Sequence, residues 1–386
     1  MDLRLCVSQT PCDVPYQFKT TGIRVYSFEE ALYHVYHYWK QSEDDFICDE
    51  FAAWVSESLG LSYLAARVAA LRKTQDYHRR MISFLKLADF FDEGELETLQ
   101  AELIRWEKRR DWEKLKERAD YLMGRDEPEK AAVLYKRALQ YDENPALYNN
   151  LGVACMKTAS YEDAHRFMSR ALELSPGDIQ ITMHLIEAAV YNKNFAEADR
   201  LLSEVKKKDA KNPDVPFLYG LMSFEAGEYA KSVAFFEEAI ASRERPEPHY
   251  VYKLAEVYAK MRQYEKSLAA LERISEADAD FYVKQSELNA AAGNLPAAIK
   301  SVKAAIFKRN DSAALWTKLA AYHRMDYDLQ TANAAIVRAL SLDGENERAK
   351  LESARIKKGL GKTREYQSIL NSVLRGFKKK YRELNA

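Results

Sequence analysis

Apolar side chains recur with the period of an α-helix along most of this chain. Between Pro145 and Pro176, Tyr148, Leu151, Gly152 and Cys155 stand at i, i+3, i+4 and i+7, and Ala164, Phe167, Met168, Ala171 and Leu172 form a second stripe. A short polar turn, Thr158-Ala159-Ser160, separates them. Two helices this short cannot bury their apolar faces against each other alone and need neighbours. The chain supplies them. The position that opens the second helix recurs as Tyr161, Phe195, Tyr229, Tyr264, Leu295, Leu329 and Thr363, at intervals of 34, 34, 35, 31, 34 and 34 residues, with Pro128 standing 33 residues before Tyr161. Three places on, the residues are small: Ala131, Ala164, Ala198, Ser232, Ser267, Ala298 and Ala332. Seven places further come Ala138, Ala171, Val205, Ala239, Ile274, Ala305 and Ala339, a mostly small set that marks close helix packing.

This pattern resembles the tetratricopeptide repeat family, whose unit is a helix–turn–helix of about 34 residues. The unit at Pro145–Pro176 carries the resemblance best, with Leu151-Gly152, Ala164, Ala171 and Pro176 in the signature places, and Trp316 and Leu319 match the first helix of a later unit. Gln285-Ser286 departs from Leu-Gly, and the 31-residue interval shortens one unit near Ala277–Asp280. The resemblance implies an all-α fold, a right-handed α-solenoid of about seven helix-turn-helix units over residues 112–361. It implies little about chemistry, because the family binds many unrelated partners.

Flanking patterns complete the expected layout. Residues 1–24, with Pro11, Pro15 and Gly22, read as an irregular or short extended lead. Residues 25–110 read as a helical N-terminal cap domain joined to the repeats without a flexible linker. Its first helix starts with Ser27 as N-cap and Glu30 completing a capping box, and it is aromatic nearly all round, with Phe28, Tyr33, Tyr36, Tyr38 and Trp39. Further helices are expected over 76–91 and 95–109, with Gly94 as the break. Residues 362–386 form a C-terminal capping helix. Its Leu370, Leu374, Phe377, Tyr381 and Leu384 make a narrow seam that covers the last repeat or, as the alternative, forms a homodimer contact. Arg375, Lys378, Lys379, Lys380 and Arg382 form a basic cluster on the far side of that helix.

Composition narrows the function classes. Lys plus Arg number 58 against 59 Asp plus Glu, a net charge of −1, so nucleic acid is not the expected partner. No apolar run approaches the ~20 residues of a membrane span, and no signal peptide is evident, so a cytoplasmic location is expected. Cys6, Cys12, Cys48 and Cys155 have no metal-ligand spacing, and Cys155 falls on a core stripe. His34 and His37 share a helix face at i, i+3, but no further ligand joins them clearly, so packed histidines are expected and no metal or cofactor. There is no phosphate loop, HExxH, GxSxG or CxxC. Asp44-Asp45 and Asp278/Asp280 sit in predicted polar turns, and no enzyme activity is expected.

Binding is the remaining class. The resemblance implies that the first helices line a concave groove, whose non-core residues would be Lys116, Asp120, Asn149, Asn150, Val153, His184, Glu187, Tyr191, Phe217, Leu221, Tyr252, Lys253 and Glu256. Some members of the family grip a C-terminal carboxylate with Lys and Asn one turn apart, a further Asn, and then Lys and Arg. Here Lys116 and Asn150 fit, but Asp120, Gln180 and His184 replace the rest, so no such clamp is expected. Aromatics beside separated charges (Phe224 also among them) suit an extended or helical peptide, and a non-catalytic protein- or peptide-binding scaffold is the favoured function. The alternative is a peptide-responsive regulator. Leu59-Gly60-Leu61-Ser62 between two helices resembles the turn of a helix-turn-helix reader, with Gly60 left-handed, Ser62 as cap, and Ser62, Tyr63 and Arg67 on a helix over Ser62–Lys73 that would contact DNA or a signalling protein. Asp44, Asp45, Asp49, Glu50 and Glu57 oppose a phosphate backbone there.

Overall fold

The computed structural model describes residues 12–384 apart from 43, 44, 211, 246 and 345, and in the last helix it leaves out the side chains of 377 and 379–384. Cys6, Pro11 and Asp44 therefore lie outside the described residues, as do the side chains of Phe377, Lys379, Lys380, Tyr381, Arg382 and Leu384. The described chain is all-α save for one two-stranded ribbon. It divides into two compact units, Met1–Ala188 and Ala189–Ala386.

The first unit begins with the ribbon, β1 (Tyr16–Gln17) paired antiparallel with β2 (Arg24–Val25). Helices α1 (Phe28–His37), α2 (Asp49–Glu57), α3 (Ser62–Ala70), α4 (Tyr77–Leu85) and α5 (Glu93–Glu107) follow. Phe18, Phe28, Phe46, Phe51 and Phe84 are at most 1% exposed and fill one aromatic core with Trp39 and Trp106 at its edge. Ser27 caps α1 by accepting from the Glu30 N–H at 3.1 Å, while Glu30 reaches back to the Tyr26 N–H rather than to Ser27. The helix expected over 76–91 stops at Leu85. There the Leu87 N–H bonds the Phe84 carbonyl, which turns Leu87 into the core and leaves Phe91 to stack on Tyr36. Gly94 is not a break: it lies inside the first turn of α5, because Asp92 and Glu95 close a capping box across it. Gly60 is left-handed as expected, with φ +70°, but Leu61 rather than Ser62 is the N-cap of α3, and the Ser62 hydroxyl meets Ser56 at 3.1 Å.

Tandem hairpins make up the rest. In the first unit α6 (Asp111–Gly124) pairs with α7 (Pro128–Ala138), and α8 (Pro145–Lys157) with α9 (Tyr161–Leu174). Helix α10 (Ile179–Tyr191) carries the boundary between the units. The second unit continues with α11 (Phe195–Lys208), then α12 (Asp214–Glu225) with α13 (Tyr229–Ala241), and α14 (Pro248–Lys260) with α15 (Tyr264–Leu271). It ends with α16 (Ala279–Ala291) on α17 (Leu295–Lys308), α18 (Ala313–Met325) on α19 (Leu329–Leu342), and α20 (Glu347–Gly359) on α21 (Thr363–Leu384). The C-terminal helix thus stands where the second helix of a further pair belongs. The 31-residue interval is taken up by α15, which ends at Leu271 after 8 residues. Gln285, the departure from the signature, accepts from the Ser301 hydroxyl at 2.7 Å, so a polar contact replaces an apolar one there. Among the described residues no helix is long and apolar enough to cross a membrane.

Two local devices recur in the hairpins. Where α8 crosses α9 and α12 crosses α13, the first helix contributes a glycine: a Cβ on Gly152 would stand 2.6 Å from Met168 Cγ, and one on Gly220 would stand 2.7 Å from the Phe236 ring. Ser232 and Ser267 occupy the facing small positions, and their buried hydroxyls donate to the carbonyls of Gly220 and Ala255. Where the chain turns, one residue is left-handed: Asp126, Ala159, Lys193, Gly227, Arg262, Gly293, Tyr327 and Gly361, each with φ between 58° and 81°. The next residue's N–H returns to a carbonyl five places back, as from Ser160 to Cys155 at 2.9 Å and from Asp328 to His323 at 2.9 Å. This is the Schellman closure. A side chain there costs on the order of 1 kcal/mol relative to glycine.

Two substitutions test these devices in opposite directions. Gly220→Ala should destabilise the second unit by about 1–3 kcal/mol, since the 0%-exposed Phe236 ring has no room to retreat. Ala159→Gly should raise the thermal midpoint of the first unit, by an amount equivalent to about 0.5–1 kcal/mol. Differential scanning calorimetry of the full chain reads both.

Candidate functional site

Among the residues expected to line the groove, two groups stand out, one in each unit. In the first unit Asp120 is the centre. One of its oxygens accepts from the Tyr135 hydroxyl at 2.6 Å and from Asn150 Nδ2 at 3.1 Å, and the other holds Lys116 Nζ at 2.7 Å. Tyr135 is 1% exposed, and burial together with the carboxylate pushes its phenol well above the ordinary range. Asn149 Oδ1 meets Nδ1 of His184 at 2.8 Å, and burial holds that imidazole below its usual pKa. Two of the residues expected to line the groove, Lys116 and Asn150, are thus brought together by a third, and the cation of Lys116 is already neutralised within the chain. Gln180 is exposed, Glu187 and Val153 are half-buried.

In the second unit three successive first helices meet. Lys253 of α14 lies 5.7 Å from the ring of Tyr191, at the end of α10, and 5.7 Å from the ring of Phe224, at the end of α12. Its ammonium also pairs with Glu256 at 3.3 Å. Desolvation alone would lower the Lys253 pKa, but Tyr191 and Glu256 outweigh it and hold it above the usual value. Tyr252, half-buried, is pushed up to about 12 by desolvation, with Asp278 and Asp280 adding to the effect. Phe217 and Leu221 do not join this surface. Phe217 is 8% exposed and stacks on Tyr250 at 4.6 Å, and Leu221 is fully buried. A first helix is packed on more than one side, which narrows the face left for solvent. Asp278 caps α16 by accepting from Phe281 N–H, and Asp280 pairs with Arg309, so both are structural.

Residues 116–179 and 252–314 match one family model described as a tetratricopeptide repeat, and residues 159–215 match another of the same description. This chain is a tetratricopeptide repeat protein. Among curated proteins it is similar to human cilia- and flagella-associated protein 70, with 28% identity over 116 residues. That match spans 29% of this chain and only 10% of the human protein. Among solved structures it is similar to a tetratricopeptide repeat protein from Parabacteroides merdae, at 17% identity and a TM-score of 0.42, covering 64% of this chain and 98% of that one. It is also similar to a chain of the APC/C hetero-tetramer Cut9–Hcn1, at 11% identity and a TM-score of 0.42, covering 90% of this chain and 84% of that one. At such scores the likeness says nothing of ligand or partner.

Outside the repeats, the two histidines of α1 differ in setting. His34 is 2% exposed, stacks on Phe18 at 3.8 Å and bonds Thr21 Oγ1 through Nε2 at 3.2 Å, whereas His37 is exposed against Tyr33. Helix α3 of this tetratricopeptide repeat protein buries Leu64, Ala65 and Val68 and turns Tyr63 and Arg67 outward, with the guanidinium 5.7 Å from the Tyr63 ring. The next cation, Arg72, is tied to Asp49 and to the Ile47 carbonyl.

Asp120→Ala should cost about 1–3 kcal/mol, because the buried Tyr135 hydroxyl loses its acceptor, while Asp120→Asn should cost less; urea unfolding distinguishes them. A second expectation concerns acid. Desolvation lowers the His34 pKa from 6.5 to about 4. Between those values the unfolded chain binds a proton that the folded chain refuses, so stability falls as pH drops through the window, by up to roughly 3 kcal/mol. His34→Gln should flatten that part of the stability–pH curve.

Proposed function

We propose that this chain is a non-catalytic adaptor that binds a protein or peptide through the open faces of its first helices. The repeat family is generally a protein-interaction scaffold, and the observation that carries the reading here is the convergence on Lys253. Tyr191, Phe224 and Lys253 come from three successive first helices and stay half-open to solvent, although aromatic rings of that size gain by full burial. Rings beside a cation, with Glu256 and Tyr252 at its side, suit a segment with an apolar anchor and flanking polar groups. Asn149 and Asn150 offer amides to a peptide backbone in the first unit, each already held by His184 or Asp120. Arg67 and Tyr63 face outward on α3, but the preceding helix α2 carries the acidic Asp49, Glu50 and Glu57, which favour no phosphate backbone. Of the C-terminal seam, Leu370 is half-buried and Leu374 49% exposed, a described portion too small to carry the homodimer alternative.

Affinity capture from the native host, with partners identified by mass spectrometry, tests the proposal. Tyr252→Ala together with Lys253→Ala should deplete the principal partners by at least about tenfold while leaving the melting profile near that of the parent chain. Asn150→Ala should act in the same sense more weakly. An unchanged set of partners in the double variant would overturn the assignment.

A further inference from the structure

A second recognition site lies outside the repeats. Trp39, which follows α1, packs edge-to-face on Trp106 of α5 at 5.4 Å, and both indoles are nearly buried, at 8% and 3% exposure. They form the floor of a cavity of about 240 Å³ whose rim is Lys40, Glu102, Arg105 and Arg109. Lys40 Nζ lies 5.2 Å from the Trp39 ring and 5.5 Å from the Trp106 ring, and the Arg109 guanidinium lies 5.2 Å from the Trp106 ring. The floor is fixed from behind, since the Trp39 carbonyl accepts from the Tyr77 hydroxyl and the Lys40 carbonyl from Arg118.

The cations at this rim are not equally engaged. Lys40 and Arg109 are both paired with Glu117, which bonds one with each oxygen, and Arg109 also lies 3.8 Å from Glu113. Arg105 has no carboxylate within ion-pair distance among the described residues; its Nε donates to the Ala101 carbonyl, which leaves both terminal nitrogens of the fork available. Glu102 is the one acid on the rim, three residues from Arg105 and exposed. One guanidinium, that of Arg109, lies over a buried indole, and the unsatisfied fork of Arg105 on the same rim matches the bidentate geometry of a carboxylate or phosphate. The rigid aromatic floor lowers the ordering cost of holding them.

We infer that the Trp39–Trp106 cavity is an anion-recognition site that takes the carboxylate or phosphate group of an acidic partner segment, with Arg105 as its principal contact and Lys40 and Arg109 supporting. Glu102 opposes the ligand and sets the affinity. The site belongs to the N-terminal region and does not depend on the Lys253 surface.

Fluorescence anisotropy of labelled ten-residue peptides against the full-length chain tests this. One peptide carries three glutamates, one carries phosphoserine, and a third carries glutamine instead. The expected result is saturable binding of the glutamate peptide, the phosphoserine peptide or both, and none of the glutamine peptide; which arm binds names the anion. Arg105→Glu should weaken that binding by at least about tenfold and Glu102→Gln should strengthen it, the opposite signs separating recognition from a folding defect. Both positions are exposed, so the fold should survive. Absence of binding at millimolar protein, equal binding of the glutamine peptide, or insensitivity to Arg105→Glu would each overturn the proposal. Tyr252→Ala with Lys253→Ala should leave it intact.

Discussion

Close approach of two helix backbones is the constraint on which the repeat hairpins rest. A 34-residue unit can bury a useful apolar area only if its two helices nearly touch at one point, and that point admits no side chain from the first helix at Gly152 or Gly220. The room is filled from the other side by Met168 and Phe236, fully buried large residues that pack into the groove a missing Cβ leaves. Serine can replace alanine at the facing position because its hydroxyl finds the carbonyl that the same close approach brings near, as Ser232 does with Gly220. The left-handed turn then follows as a geometric necessity, since the second helix must reverse direction within three residues to reach that contact.

The fold was legible because this constraint repeats. Aromatic, small and small again at a fixed spacing is a signal that survives the loss of any single member, so Gln285-Ser286 and the 31-residue interval did not obscure it. The turns were not legible. Only three of the eight left-handed positions are glycine, and aspartate, alanine, lysine, arginine and tyrosine hold the others, so residue type does not mark the conformation. The non-repetitive N-terminal helices were read less well for the same reason: Gly94 and Ser62 carry ordinary local preferences, and the capping box of Asp92 and the packing of α3 overrode them.

The candidate site was half legible. Periodicity separates the core stripe of a first helix from the rest, but it cannot say how much of the rest is taken by neighbouring pairs. Phe217 and Leu221 are covered, whereas Tyr191, Phe224 and Lys253 remain half-open. Partnership was invisible too. Asp120 stood out in the sequence as the residue that spoils a carboxylate clamp, and it proves to be the acceptor for a buried phenol and the anchor of Lys116 and Asn150. A substitution that removes one recognition mode has become part of the scaffold.

The short helix α15 shows what a missing turn does to such an architecture. Its loss does not shift the next hairpin out of step, because α16 is capped afresh by Asp278 and packs on α17 as the others do. A hollow of about 690 Å³ lies beside residues 276–280, the segment that leads from α15 into α16, and the end of α17. Array proteins of this kind can therefore absorb a trimmed helix in the segment that follows it, with helix pairs still formed on both sides.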